Sequence, residues 1–356
     1  MTRRAGALVV LALCGVSTPA AGEVRIAVLG LFHSSELIAR SADGRGLSLR
    51  MDGDGCALRD AENAHVSERG GGSMRIVCAG RTFRARTLRI TSPAGGVAAI
   101  ELGIPQRISR TFRGSLAVTS AGGALIPVVS MDLETAVASI VAAEEVEGAP
   151  IEALKAQAVA ARSYLVAARG RHRGSDFCDT THCQFLREAP APGHPATRAA
   201  NETADLVLAF RGTPIAALYS ASCGGRTRSL ADTGLDAADG YPYYSVDCPY
   251  CVLRAKQWER RLQLDESSRQ LDASRSERAR LQVGRRFGWA SVPGNNFDAD
   301  REPDALVLHG RGAGHGVGLC QLGAAAFAAE RSATFAEILD HYYPGTTLAG
   351  RYTRDR

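Results

Sequence analysis

The residues best placed to do chemistry begin with a carboxyl group on an apolar stripe. In the segment around VAAEEVEGAPIEALKAQAVAAR (residues 141–162), Val137, Ile140 and Val141 lie seven, four and three residues before Glu144. Glu144 therefore continues one helical face, whereas Glu145 is rotated by about 100°. A carboxyl on an apolar stripe is costly to ionise, so its pKa should rise, as a general acid working near neutral pH requires. Spacing alone favours a plainer reading, a helix end where the stripe meets solvent. A second cluster, His172, Cys178, His182 and Cys183, has the residue types and closeness of zinc ligands. A Cys178–Cys183 disulfide fits the same loop. Either role is structural, because four protein ligands leave no position for a catalytic water.

Two further stretches are rich in polar and glycine residues. Tyr219, Ser220, Ser222, Gly224 and Gly225 form YSASCGG. Their hydroxyls suit sugar hydrogen bonding, and paired glycines let backbone approach a ligand or make a tight turn. Gly310–Gly318, GRGAGHGVG, lacks the Lys-Ser/Thr ending of a phosphate cradle. His315 within it reads as a groove hydrogen-bond partner or as a buried structural histidine. Gln321 can orient a substrate amide.

The elements that position these groups follow from pattern. Alternation at Val24, Ile26 and Val28 predicts a strand. Residues 40–73 read as loop with one hairpin. Short strands are expected at Met74–Cys78, Thr82–Ile90, Val97–Leu102, Phe112–Thr119 and Ala124–Val129. Asp132 is a natural N-cap for a helix to about Glu145. Gly148 breaks that helix, and Pro150 opens a second one whose face is Ile151, Leu154, Ala158, Ala161 and Leu165. Its many alanines require close approach by other backbone. Residues 254–286 carry dense charge of both signs and read as a solvated helical excursion, with Trp258 pinning its start. Asn295–Pro303 reads as a polar loop. Thr334 and Glu337 form a capping box for a final helix.

Hydrophobic residues at 45% and charged residues at 22% are ordinary for a globular chain. The net charge of +5, or +3 without Arg3 and Arg4, gives no argument for nucleic acid. Residues 1–22 read as a secretory leader: Arg3-Arg4, an apolar run Ala5–Val16, and Ala20-Ala21-Gly22 before a cut at Glu23. No later stretch is long and apolar enough for a transmembrane anchor. Without Cys14, in the leader, eight cysteines remain, and an even number in an exported chain suggests disulfides. Cys56–Cys78 is the natural local pair, and Cys320 has Cys223, Cys248 and Cys251 as candidate partners.

Five stretches in order resemble the SpoIID/LytB family of bacterial cell-wall proteins: PIEALKAQAVAARSY (150–164), CDTTHCQ (178–184), YSASCGGRT (219–227), GRGAGHGVGLCQLG (310–323) and HYYPG (341–345). The resemblance covers roughly residues 113–348. It implies a lytic transglycosylase acting on the MurNAc–GlcNAc β-1,4 bond of peptide-poor glycan strands, with no cofactor required for catalysis. The family's catalytic glutamate stands six residues before the proline of the AxKAQAVAAR-like helix, which is Glu144 here. Where the family has an apolar neighbour, this chain has Glu145, whose charge would act on Glu144. The resemblance also raises the zinc reading of the His172–Cys183 loop and the groove reading of Tyr219–Gly225.

The sequence thus predicts an α+β protein: a leader at 1–22, a β-rich region at 23–112, and a mixed SpoIID-like domain at 113–350 with a charged excursion at 254–300. It is expected to be exported to the periplasm or cell envelope and to act on peptidoglycan glycan strands. The alternative is a non-catalytic wall-binding protein or an enhancer of a cell-wall amidase. A zinc hydrolase is disfavoured because no HExxH helix is present.

Overall fold

The computed structural model describes residues 22–180, 182–235 and 240–350. Apart from Gly22, the expected leader and its Cys14 lie outside them. The chain is α+β. A 12-stranded, mainly antiparallel sheet occupies the first part. Its centre is the hairpin Ile108–Ala121 and Ala124–Asp132, paired from Ser115↔Ser130 to Ala121↔Ala124. Glu23–Ala27 runs antiparallel beside the second hairpin strand. Its free edge takes Phe177–Cys178 in parallel, which carries the cysteine–histidine loop onto the sheet.

Alternation sets which face is buried. Val24 and Ile26 point inward on the first strand, and Ala98, Ile100, Leu102 and Ile104 do so on Ala98–Ile104. The long strand Ile108–Ala121 pairs with Ala98–Ile104 along its first half and with Leu88–Thr91 along its second, so it crosses residue 113 without interruption. Residues 40–73 hold more order than expected: Leu47–Met51, Asp54–Leu58 and Asn63–Glu68 are strands. Their Gly- and Asp-rich composition belongs to the tight turns between them. Cys56 and Cys78 are disulfide-bonded, as the local pairing predicts. The other six described cysteines are unpaired, so the expectation of further disulfides, including one at Cys320, is not met.

Two helices cover the sheet. Helix α1, Leu133–Glu144, starts at Asp132, whose carboxylate accepts from the Thr135 N–H at 2.8 Å. Helix α2, Ile151–Ala167, is buried on both sides. Leu154, Ala158, Ala161 and Leu165 face the sheet core with Val137, Ile140 and Val141 of α1. Ala153, Ala156, Val159 and Ala160 face a second core with Ile215, Leu319, Ile338 and Tyr343. Small side chains let helices on both flanks approach this closely. A third helix, α3, Pro195–Glu202, packs against both α1 and α2.

The charged excursion is a small α/β unit with its own core, not a solvated helix. Gln257–Gln263, Ala305–Arg311 and Phe297–Arg301 form a sheet with the middle segment central, so the loop expected at 295–303 is partly strand. Trp258 and Leu262 lie on one strand face and pack with Leu271, Val283, Phe297 and Leu308. Their even spacing is the strand period, and Glu259 and Arg261 occupy the outer positions. Trp258 also donates its indole N–H to Gly312 O at 2.9 Å. No helix of the described residues is long and apolar enough to cross a membrane.

One polar group holds the helices together. Arg162 is fully buried on α2. Its guanidinium forms a two-pronged pair with Glu134 of α1 and donates to Ala200 O at 3.0 Å and Leu206 O at 3.1 Å. Removing one partner of a buried pair leaves an uncompensated charge. Glu134→Ala should therefore lower the unfolding free energy by about 3 kcal/mol, the low end of the range because Glu134 is partly exposed. Urea denaturation measures this, and a loss within error of zero would mean that the carbonyls alone hold Arg162.

Candidate functional site

Glu144 is the last residue of α1. The chain leaves the helix in extended conformation at Glu145, with φ −63° and ψ 145°. Val146 and Ala149 close a turn before Pro150. The Glu144 carboxyl is half-buried and accepts from the Phe185 N–H at 3.1 Å. Gln321 donates its amide to the Glu144 backbone carbonyl at 2.9 Å. Burial raises the Glu144 pKa above the ordinary glutamate value, with the Phe185 and Gln321 donors opposing.

Among the described residues, no carboxylate adds to that shift. The turn at Glu145 swings its carboxylate toward His194, 3.8 Å from Nε2. Adjacency in sequence made Glu145 the natural source of like-charge repulsion, but the extended backbone at the helix end removes it from that role.

The recess around Glu144 is walled mainly by apolar residues, Val146, Ala149, Ala153, Leu154, Leu319 and Ala324, with Glu145, Gln157 and Gln321 as its other polar members. Tyr219 lies close enough for the Glu144 charge to add to the burial that pushes its phenol well above its usual range. Gln157 is 3% exposed, yet neither side-chain polar atom has a hydrogen-bond partner among the described residues. The same holds for the Tyr219 hydroxyl, Ser220 Oγ and Ser222 Oγ. Buried polar atoms are normally paired, and of these Gln157 and Tyr219 adjoin Glu144, where they suit a ligand carrying hydroxyl and amide groups. Sequence reasoning missed Gln157. The available signal was one amide in an otherwise alanine-lined turn of α2.

The other candidates divide. Gln321 donates to the Glu144 backbone carbonyl and also lies near enough to the carboxyl to oppose its pKa rise, so it braces the helix end. His315 accepts from the Val317 N–H at Nδ1, 3.0 Å away. Burial lowers its pKa, with the Tyr219 backbone opposing. Tyr219–Ser220 pairs in parallel with Leu319–Cys320, and Ser222 exchanges backbone bonds with Ala313. Gly224, at φ +79°, has no space for a side chain: a Cβ there would lie 2.5 Å from Asn296 Nδ2 and 2.8 Å from Arg311 O. Its neighbour Gly225 backs onto Val252. The glycine-rich loops thus pack backbone against backbone. A larger concavity, bounded by Gly224, Trp258, Asn296 and His309, belongs to the excursion sheet and excludes Glu144.

His172, Cys178, His182 and Cys183 do converge, with one donor atom from each lying within 4.8 Å of the others. The Cys178 and Cys183 sulfurs are 3.3 Å apart and unbonded, and His172 Nε2 is 3.0 Å from Cys183 Sγ. Two thiols and two imidazoles at these separations fit tetrahedral zinc. Asp179 ties this loop to the sheet by accepting from Leu29 N at 2.9 Å and from Arg110 at 3.0 Å. Two residues after Cys183 comes Phe185, whose N–H holds Glu144.

Residues 121–210 match the model of the SpoIID family, described as stage II sporulation protein. The matched segment holds α1, α2 and the cysteine–histidine loop. The match supports a cell-wall-related role. The chain is also 28% identical over 268 residues to an uncharacterized protein of Brachyspira hyodysenteriae, covering 67% of this chain and 72% of that one.

The raised pKa of Glu144 has a stability consequence. A carboxyl that binds its proton more tightly folded than unfolded stabilises the fold while protonated. That contribution is full below the unfolded value of about 4.3 and is lost as pH rises through the higher folded value. Glu144→Gln keeps an acceptor for Phe185 and removes the charge. The Tm of the variant should match wild type at about pH 4 and exceed it at about pH 8; equal Tm values at both would contradict the shift.

Proposed function

We propose that this chain is a peptidoglycan lytic transglycosylase that cleaves MurNAc–GlcNAc β-1,4 bonds of peptide-poor glycan strands in the periplasm or cell envelope. The observation that carries this reading is the half-buried Glu144 carboxyl with a raised pKa, held by the Phe185 N–H beside the unpartnered Gln157 amide and Tyr219 hydroxyl. An ordinary glycosidase needs two carboxyl groups, one for the leaving group and one for water or the sugar. A transglycosylase needs one. Protonated Glu144 gives its proton to the glycosidic oxygen as the C1–O bond breaks, and positive charge develops at MurNAc C1. The resulting carboxylate then takes the proton of the MurNAc C6 hydroxyl as that oxygen bonds to C1. The products are a 1,6-anhydro end and a free GlcNAc hydroxyl, and Glu144 returns protonated.

Within this reading Gln157, Tyr219, Ser220 and Ser222 offer hydrogen bonds to sugar hydroxyl and acetamido groups. Phe185 N–H and Gln321 hold Glu144 in place. His172, Cys178, His182 and Cys183 would hold a structural zinc, whose chemistry is to fix the loop carrying Phe185. No reaction step uses it.

Incubation with peptide-free glycan strands, followed by mass spectrometry, should give 1,6-anhydro-MurNAc ends. Glu144→Gln should cut the rate by at least about 100-fold, the scale of a lost general acid. The wild-type rate should persist to higher pH than an exposed glutamate would allow, then fall as Glu144 ionises. Reducing ends in place of anhydro ends, or an unaffected variant, would overturn the assignment. Binding to intact wall without any cleavage would favour the wall-binding or amidase-enhancing alternative.

A further inference from the structure

Four cysteines take no part in the recess or in the cysteine–histidine loop. Cys223, Cys248, Cys251 and Cys320 come from three separated stretches of chain and meet in the second core. All are buried, none more than 2% exposed. Their four sulfurs lie within 4.8 Å of one another, with Cys223 and Cys251 sulfurs 3.4 Å apart. None is disulfide-bonded.

From this convergence we propose a tetrathiolate site for a zinc-class divalent cation at Cys223, Cys248, Cys251 and Cys320. A tetrahedral centre with metal–sulfur bonds of about 2.3 Å has sulfur–sulfur edges of about 3.8 Å. The observed group has that size. Two disulfides would instead draw the sulfurs into pairs at about 2.05 Å, which this packing does not show. The local chain is built for ligation. Cys248 and Cys251 are spaced CPYC, with Pro249 at the first position of a helical turn, so two thiols leave one turn together. Cys320 caps the helix Gln321–Arg331, and its sulfur accepts from the N–H groups of Cys223 and Gly323, each at 3.3 Å. Such donors offset thiolate charge. The Tyr342 hydroxyl is 3.0 Å from Cys248 Sγ. A Cβ at Gly323 would lie 2.4 Å from that sulfur and 2.3 Å from the Tyr342 hydroxyl oxygen, so a larger residue would enter the cluster.

Four protein ligands fill the shell, so the ion is structural. It fastens the Tyr219–Gly225 segment, the Cys248–Cys251 turn and the start of the helix that carries Gln321. Gln321 in turn braces the end of α1. The site is thus linked to the recess through the Cys320–Gln321 helix start.

The test is metal analysis of the full chain, purified without added metal or reductant, with zinc K-edge absorption of the same sample. A tetrathiolate site gives a shell of sulfur alone at about 2.3 Å, or an average of three sulfurs to one nitrogen if the Cys178 cluster is filled too. The Cys178→Ser/Cys183→Ser variant should retain one zinc per chain with four sulfur neighbours. Cys248→Ser/Cys251→Ser should lose one equivalent. If that variant does not fold, the wild-type spectrum decides. A shell of only two sulfurs and two nitrogens, absence of zinc, or disulfide-linked peptides containing these four cysteines would each overturn the proposal.

Discussion

The buried pair between Arg162 and Glu134 governs the geometry on which everything else depends. Glu134 lies in the first turn of α1, and Arg162 lies near the end of α2. The same guanidinium binds carbonyls at the end of α3 and at the entry to the strand Val207–Phe210. Four elements are therefore indexed to one planar cation with fixed donor directions, a task for which a lysine would be a poor substitute. Because α1 is a rigid rod of three turns, fixing its start at Glu134 and its face through Val137, Ile140 and Val141 also fixes where Glu144 emerges.

Helix α2 could accept this arrangement only by giving up bulky side chains. It meets the sheet core on one face and the second core on the other, and alanines occupy most positions between. The cost is that few side chains remain to line a recess, so the polar groups are supplied by loops laid against it. Those loops are glycine-rich because they stack as bare backbone, and Gly224 against Arg311 is the clearest case. Bare backbone has little apolar area to bury, and two clusters of convergent side chains, one of cysteine and histidine and one of four cysteines, supply packing of another kind.

Legibility in the sequence followed the range of the interactions. The Asp132 cap, the stripe ending at Glu144, the Pro150 start and the Thr334–Glu337 box are local patterns, and each is found in place. The α+β class followed from them. In the excursion Trp258 and Leu262 share a strand face, but Glu259, Arg260 and Arg261 between them mask the alternation. Cysteine parity suggested disulfides, since parity says nothing of where thiols meet. The convergence of Cys223, Cys248, Cys251 and Cys320 depends on three chain segments meeting in space. Gln157 was invisible for the same reason: its burial is made by neighbours far away in sequence.

Glu145 shows where adjacency and proximity part. Two consecutive acids suggest a coupled pair, and coupling would make the first harder to ionise through repulsion. In the folded chain the helix ends between them, and an extended residue points the second carboxylate away to His194. The pKa of Glu144 is instead set by enclosure, against the pull of one peptide N–H and one amide. The two causes differ in kind. Repulsion from an exposed neighbour weakens with salt, whereas enclosure persists and strengthens further as a ligand expels water. A carboxyl tuned by enclosure is therefore most strongly protonated when the recess is filled, which is when a glycosidic oxygen would need its proton.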